Sequence, residues 1–110
     1  MITSSGSSIL IDGKLLELEY PVEDAFEWKG NIIVLFNPDA YTESFGQFSN
    51  LVAIRPMGER LWTAELPTTT NGDRYYKVVS RDPLIACSIY SEECEIDSAT
   101  GRIKARRFFK

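Results

Sequence analysis

Apolar and polar residues alternate along much of this chain, with a period of two. Leu16, Leu18 and Tyr20 share one face of an extended segment, and Glu17 and Glu19 take the other. This is the pattern of a half-buried strand. The run Ile32-Ile33-Val34-Leu35-Phe36 has no polar partners at all. A continuous apolar run of that length predicts a central strand covered on both faces. Applied along the chain, the pattern predicts nine strands: 9–11, 14–20, 31–36, 51–54, 61–65, 75–80, 84–89, 94–96 and 102–109. Pro21, Pro38, Pro56, Pro67 and Pro83 all fall between these segments. There a missing N–H does least harm to a ladder, so the prolines support the strand map independently. The stretch from Pro21 to Trp28 fits one helical turn or a loop. Thr3 to Ser8 is rich in Ser and Gly and reads as a frayed leader covering 1–8. No segment predicts a long helix. The expected fold is all-β and antiparallel, a small sandwich or bent barrel built from hairpins, occupying 1–110 as a single domain.

Turn glycines add a second regularity. Gly13, Gly58 and Gly101 stand 45 and then 43 residues apart, each between short β-type runs. A period in the forties is the signature of blade-like β repeats. The segments Asn50–Ile54 through Gly58–Trp62, and Leu84–Cys87 through Ile96-Asp97 and Thr100–Ile103, resemble the blades of quinoprotein-type and WD40-type β-propellers. The second copy carries Lys104 or Ala105 where the first has Trp62. The resemblance implies blade-like sheets and, in the quinoprotein family, a quinone in the funnel of a complete ring. One blade takes roughly 40–50 residues and a ring typically needs at least four. A chain of 110 residues holds about two and a half, so no ring closes within one copy and no cofactor is expected.

Charge is unevenly distributed. Residues 1–101 carry 7 Lys/Arg against 16 Asp/Glu, a balance of −9, whereas Arg102, Lys104, Arg106, Arg107 and Lys110 give the basic C-terminal strand or tail at 102–110 a balance of +5. The acidic bulk disfavours nucleic acid and anionic membrane as partners. The basic end is expected to be a solvated final strand or to pair with acidic neighbours. Neither a membrane-spanning run nor a signal-peptide pattern occurs, which predicts a soluble cytosolic chain.

Several chemistries drop out on residue types. Histidine is absent, which removes Ser-His-Asp and Cys-His nucleophiles and histidine metal centres. Two cysteines without histidine do not make a zinc site. If the chain reverses between Tyr90 and Ser91, Cys87 and Cys94 face one another across a hairpin. A cross-strand disulfide or two facing thiols would then result, and a reducing cytosol favours the thiols. No phosphate-binding glycine loop appears. The adjacent acids Glu23-Asp24 and Glu92-Glu93 point to opposite faces if they lie on strands, which does not suit paired general acid–base work.

What remains is recognition. Tyr41, Phe45 and Phe48 lie in the longest irregular segment, among Asp39 and Glu43, while Phe26 and Trp28 lie in the stretch read as a loop or turn. Tyr41, Phe45 and Phe48 either cap one end of the barrel or form a protein-binding loop, and Phe26 and Trp28 are either a lid on the core or a contact surface, since interface centres favour aromatic side chains. Trp62 is expected in the core. The expected function is a non-enzymatic protein-binding module, an acidic inhibitor of the immunity-protein kind acting on a toxin or nuclease partner, as monomer or homodimer. The partner-binding candidates are Asp39, Tyr41, Glu43, Phe45, Phe48, Phe26 and Trp28. The alternative is a propeller-derived oligomeric scaffold or ligand-binding module.

Overall fold

A computed structural model describes residues 2–40 and 46–108. The fold is all-β; among the described residues it has eleven short antiparallel strands in three sheets and a 3-10 turn at Pro38–Ala40. β1 (Ile2–Ser5), β2 (Ser8–Ile11) and β3 (Lys14–Glu17) form the first sheet. β4 (Val22–Trp28), β5 (Asn31–Phe36), β6 (Leu51–Ile54) and β7 (Arg60–Thr63) form the second. β8 (Tyr75–Arg81), β9 (Leu84–Ser88), β10 (Glu92–Ile96) and β11 (Ile103–Phe108) form the third. Each sheet is a simple meander in chain order. All five prolines lie outside the strands.

The glycine period acquires a structural meaning. Gly13, Gly58 and Gly101 occupy the β2–β3, β6–β7 and β10–β11 turns, each the last turn of its sheet. One period thus corresponds to one sheet. Three small antiparallel sheets in series are what the structure supports of the blade resemblance; no closed propeller forms among the described residues.

The second sheet lies in the middle. On one face Ile32, Val34, Phe36, Val52 and Ile54 pack with Ile9 and Ile11 of the first sheet. On the other, Ile33, Leu35, Leu51 and Ala53 pack with Tyr75, Leu84, Ala86, Cys94 and Ile96 of the third. The apolar run of β5 is therefore covered on both faces, as its sequence requires. The third sheet crosses the second instead of running along it. Tyr75, which opens β8, bonds to Asn50 and Glu65, while Arg81, which ends it, reaches Asp24 and Phe26 on β4.

Polar contacts lock this second interface. Asn50, fully buried, donates through Nδ2 to Phe36 O (3.0 Å) and Tyr75 O (2.7 Å) and accepts from Tyr75 N–H (3.0 Å). Trp62, in the core as expected, donates Nε1–H to Ser98 O at 2.9 Å. Gly101 packs flat on its ring: a Cβ there would stand 2.6 Å from Trp62 Cε3.

Three expectations need correction. The stretch 1–8, read as a frayed leader, supplies β1 and the turn into β2. The stretch 21–28, read as a helical turn or loop, is β4. A register shift between Val22 and Asp24 moves Val22 to the first-sheet side and Phe26 to the third-sheet side, which scrambles the alternation that would have revealed a strand. Cys87 and Cys94 do not face one another. The β9–β10 turn holds three residues, with Ser91 at φ 66° and its N–H bonded to Ser88 O, so Cys87 pairs with Glu93 and Cys94 with Ala86. A one-residue slip turns a side chain to the opposite face. Cys94 enters the core and Cys87 lies on the outer face; both are free thiols.

Candidate functional site

The residues expected to contact a partner do not gather into one surface. Phe48 is buried and meets Tyr20 edge-on, with ring centroids 4.9 Å apart; Tyr20 in turn meets Phe36 at 5.4 Å. Phe26 is buried between the second and third sheets, with the Arg81 guanidinium 4.7 Å from its ring centroid. Trp28 is half-buried beside the same cluster, with the Lys29 ammonium 5.0 Å from its ring. Burial takes the Phe26 and Phe48 side chains off the exposed surface, Phe26 between the second and third sheets and Phe48 with the first-sheet cluster. Asp39 is exposed on the 3-10 turn, its N–H donating to Asn37 Oδ1 at 2.8 Å. Tyr41, Glu43 and Phe45 lie outside the described residues. The chain just after them is tied to the β7–β8 connection. Phe48 N–H donates to Asp73 O and Gly72 N–H to Gly46 O, and Gln47 Nε2 donates to Thr68 O and Thr70 O.

A cleft opens elsewhere, where the three-stranded first sheet meets the four-stranded second. The first sheet packs its Ile9 and Ile11 onto the middle sheet, with β1 and β2 touching β4. Its last strand stops short of fully covering β6 and β7. The space left between them is about 630 Å³ and is lined by Glu17, Leu18, Glu19, Phe36, Val52, Ile54, Gly58 and Arg60. That volume lies within the range of roughly 300–1,000 Å³ usual for ligand pockets. Its accessible apolar residue is half-buried Leu18, and behind it lie Phe36, Val52 and Ile54, themselves buried. The rim is charged: Glu19 pairs with Arg60 at 2.5 Å and Glu17 accepts a hydrogen bond from Ser8 Oγ. Near the other end of β3, Lys14 Nζ contacts Met57 Sδ at 2.7 Å and holds the β6–β7 turn against the first sheet.

The Glu17 and Glu19 side of this cleft was visible in the sequence as the polar half of an alternating strand. Nothing in the spacing places Arg60 or Ile54 opposite them, because 41 residues separate Glu19 from Arg60. Only the packing of the first sheet on the second brings these groups together.

Two cations of the basic C-terminal strand are paired from within. Arg107 pairs with Glu93 at 2.8 Å and Lys104 with Glu95 at 3.4 Å, both acids lying on neighbouring β10. Arg106 donates to Pro67 O. The expectation that this segment pairs with acidic neighbours thus holds for Lys104 and Arg107.

Reactive groups are held in their inert forms. Burial pushes the Cys94 thiol up to about 11, against its side-chain contact with Tyr75, which pulls it down. Burial also raises the Tyr75 phenol, whose O–H donates to Glu65 O at 2.6 Å. Cys87 is raised first by burial and then by Glu93, with Lys77 and Arg107 acting in the opposite sense. A protonated thiol is a poor nucleophile and metal ligand. Among the described residues no three His, Cys, Asp or Glu side chains are grouped so as to hold a metal ion, and no helix is long and apolar enough to cross a membrane.

Residues 1–108 match the family described as a domain of unknown function (DUF7957), and the chain belongs to that family. No curated protein and no solved structure matches the chain.

Proposed function

We propose that this chain is a non-enzymatic, protein-binding module that recognises a partner with a basic surface, and that the cleft between its first and second sheets is the recognition site. The observation that carries the reading is the cleft itself, with half-buried Leu18 at its apolar centre and Glu17 and Glu19 on its rim. An apolar centre with a charged rim is the usual anatomy of a protein contact. The balance of −9 over residues 1–101 favours a basic partner and speeds its approach by steering. An acidic inhibitor of the immunity-protein kind, acting on a basic toxin or nuclease in the cytosol, is the form of this function that the composition suits.

The test is partner retention by the tagged chain at low and high salt, compared with a Glu17→Gln/Glu19→Gln double variant. One identified basic protein should be held at low salt, released as salt rises, and held at least tenfold less by the variant. Retention of nothing at low salt, where steering is strongest, overturns the proposal.

A further inference from the structure

The edges of the three sheets are not equally protected. The two four-stranded sheets end in β4, β7, β8 and β11, and the pairing of every one of these with its neighbour contains a register shift. Such bulges twist an edge and blunt its capacity to recruit another strand. The first sheet has none: β1 pairs with β2, and β2 with β3, in unbroken register. Of its two edges, β1 lies against β4. β3 is left as a regular edge beside which the described residues place no strand. It contains no proline, and Leu15 at its middle is 61% exposed.

Alternate residues of this edge leave their backbone groups outside the sheet. Leu18 N–H donates to Ser7 O at 2.8 Å, so Lys14, Leu16 and Leu18 turn their backbone groups toward β2. By the alternation of antiparallel pairing, Leu15 and Glu17 turn theirs outward. The same edge continues through Glu17, Leu18 and Glu19 into the cleft wall, opposite Val52 and Ile54.

Resting on the binding reading above, we infer that the β3 edge takes an extended, basic segment of the partner protein as an added strand. The outward N–H and C=O groups of Leu15 and Glu17 supply the ladder. A Lys or Arg of the guest meets Glu17 and Glu19, and an apolar neighbour lies along half-buried Leu18. Main-chain bonds then give affinity and the side chains at the rim give specificity. The rim suits a cation because its two carboxylates face one guanidinium, leaving one negative charge unmatched. The Arg60–Glu19 pair is exposed, at 41% and 64% of the two side chains, so an incoming guanidinium exchanges for Arg60 at little cost.

Four peptides test this against the intact chain: a hexapeptide alternating valine and arginine, one alternating valine and glutamate, and two valine–arginine peptides N-methylated on one or the other alternate set of backbone nitrogens. The valine–arginine peptide should bind at least tenfold tighter than the valine–glutamate peptide. Methylation of one set should cost at least tenfold and of the other set much less, because only one set faces the edge. Amide exchange at Leu15 and Glu17 should slow at least tenfold in the complex. Absence of peptide binding, equal tolerance of both methylated sets, or unchanged exchange at Leu15 and Glu17 overturns strand addition. The binding reading falls separately, through the absence of charge-dependent retention of an intact partner.

Discussion

Against the third sheet, the middle sheet is held by directed polar contacts: the two buried bonds between Asn50 and Tyr75, the indole of Trp62 on Ser98 O, and Glu65 accepting Ile103 N–H at 2.7 Å. Against the first sheet it is held by apolar packing of Ile9 and Ile11 and by Val22 N–H donating to Gly6 O at 2.9 Å, while the margin beside the cleft carries exposed contacts, Arg60 to Glu19 and Lys14 to Met57. The first kind of contact tolerates little movement, because a buried donor or acceptor that loses its partner keeps its full desolvation cost. The second kind tolerates opening, because an exposed ion pair contributes little and water replaces it readily. The difference teaches where binding is cheapest. The cleft has formed at the interface whose margin is weakly tied, and the fold is secured at the other.

The comparison can be broken most directly at Asn50. Asn50→Ala leaves Phe36 O, Tyr75 O and Tyr75 N–H buried without their partner, and should cost about 4 kcal/mol in urea denaturation. A loss below about 1 kcal/mol would mean that this interface is no more polar-locked than the other. Gly101→Ala comes next, at about 3 kcal/mol. The residue has φ 79°, and its new methyl would drive into Trp62. The Trp62 emission should shift along with the midpoint, and an unshifted spectrum with full stability would show that the ring can move aside.

Alkaline pH sharpens the same contrast. The Cys94 thiol ordinarily titrates near 9.0 and is pushed up to about 11 by burial at this interface. Between those values the unfolded chain has released the proton and the folded chain has kept it. The contribution is therefore fully present below about pH 9 and is lost as pH rises toward 11, on the order of 2 kcal/mol. Tyr75 and Cys87, also raised, act in the same sense. Melting temperature should fall from pH 9 to 11, with a shallower slope in Cys94→Ala; equal slopes would remove Cys94 from the account. The smallest effect belongs to the open side. Arg60→Ala should change stability by less than about 1 kcal/mol and by nothing measurable in high salt. A larger loss would show that the cleft margin is structural and not merely latched.

Much of the fold was legible because strands announce themselves through alternation and prolines. The Ile32–Phe36 run was readable as a doubly covered strand, and the period of Gly13, Gly58 and Gly101 as a regular unit. Legibility failed where the period of two was interrupted. The shift in β4 hid a strand in 21–28. One extra residue in the 89–91 turn sent Cys87 and Cys94 to opposite faces. The burial of two aromatic candidates was hidden for a related reason: Phe26 and Phe48 belong to segments that look irregular in sequence, yet both side chains are buried by neighbours far along the chain.

By itself the sequence determined the class of the fold, the central position of β5 and the acidic character of the bulk, because these depend on local pattern and on composition. The tertiary structure alone decided which edge stays regular and which acids line the cleft. Glu17, Glu19, Ile54 and Arg60 share a cleft only because a three-stranded sheet is laid over a four-stranded one and falls short of covering it. That mismatch is a property of sheet packing, to which no local run of residues testifies.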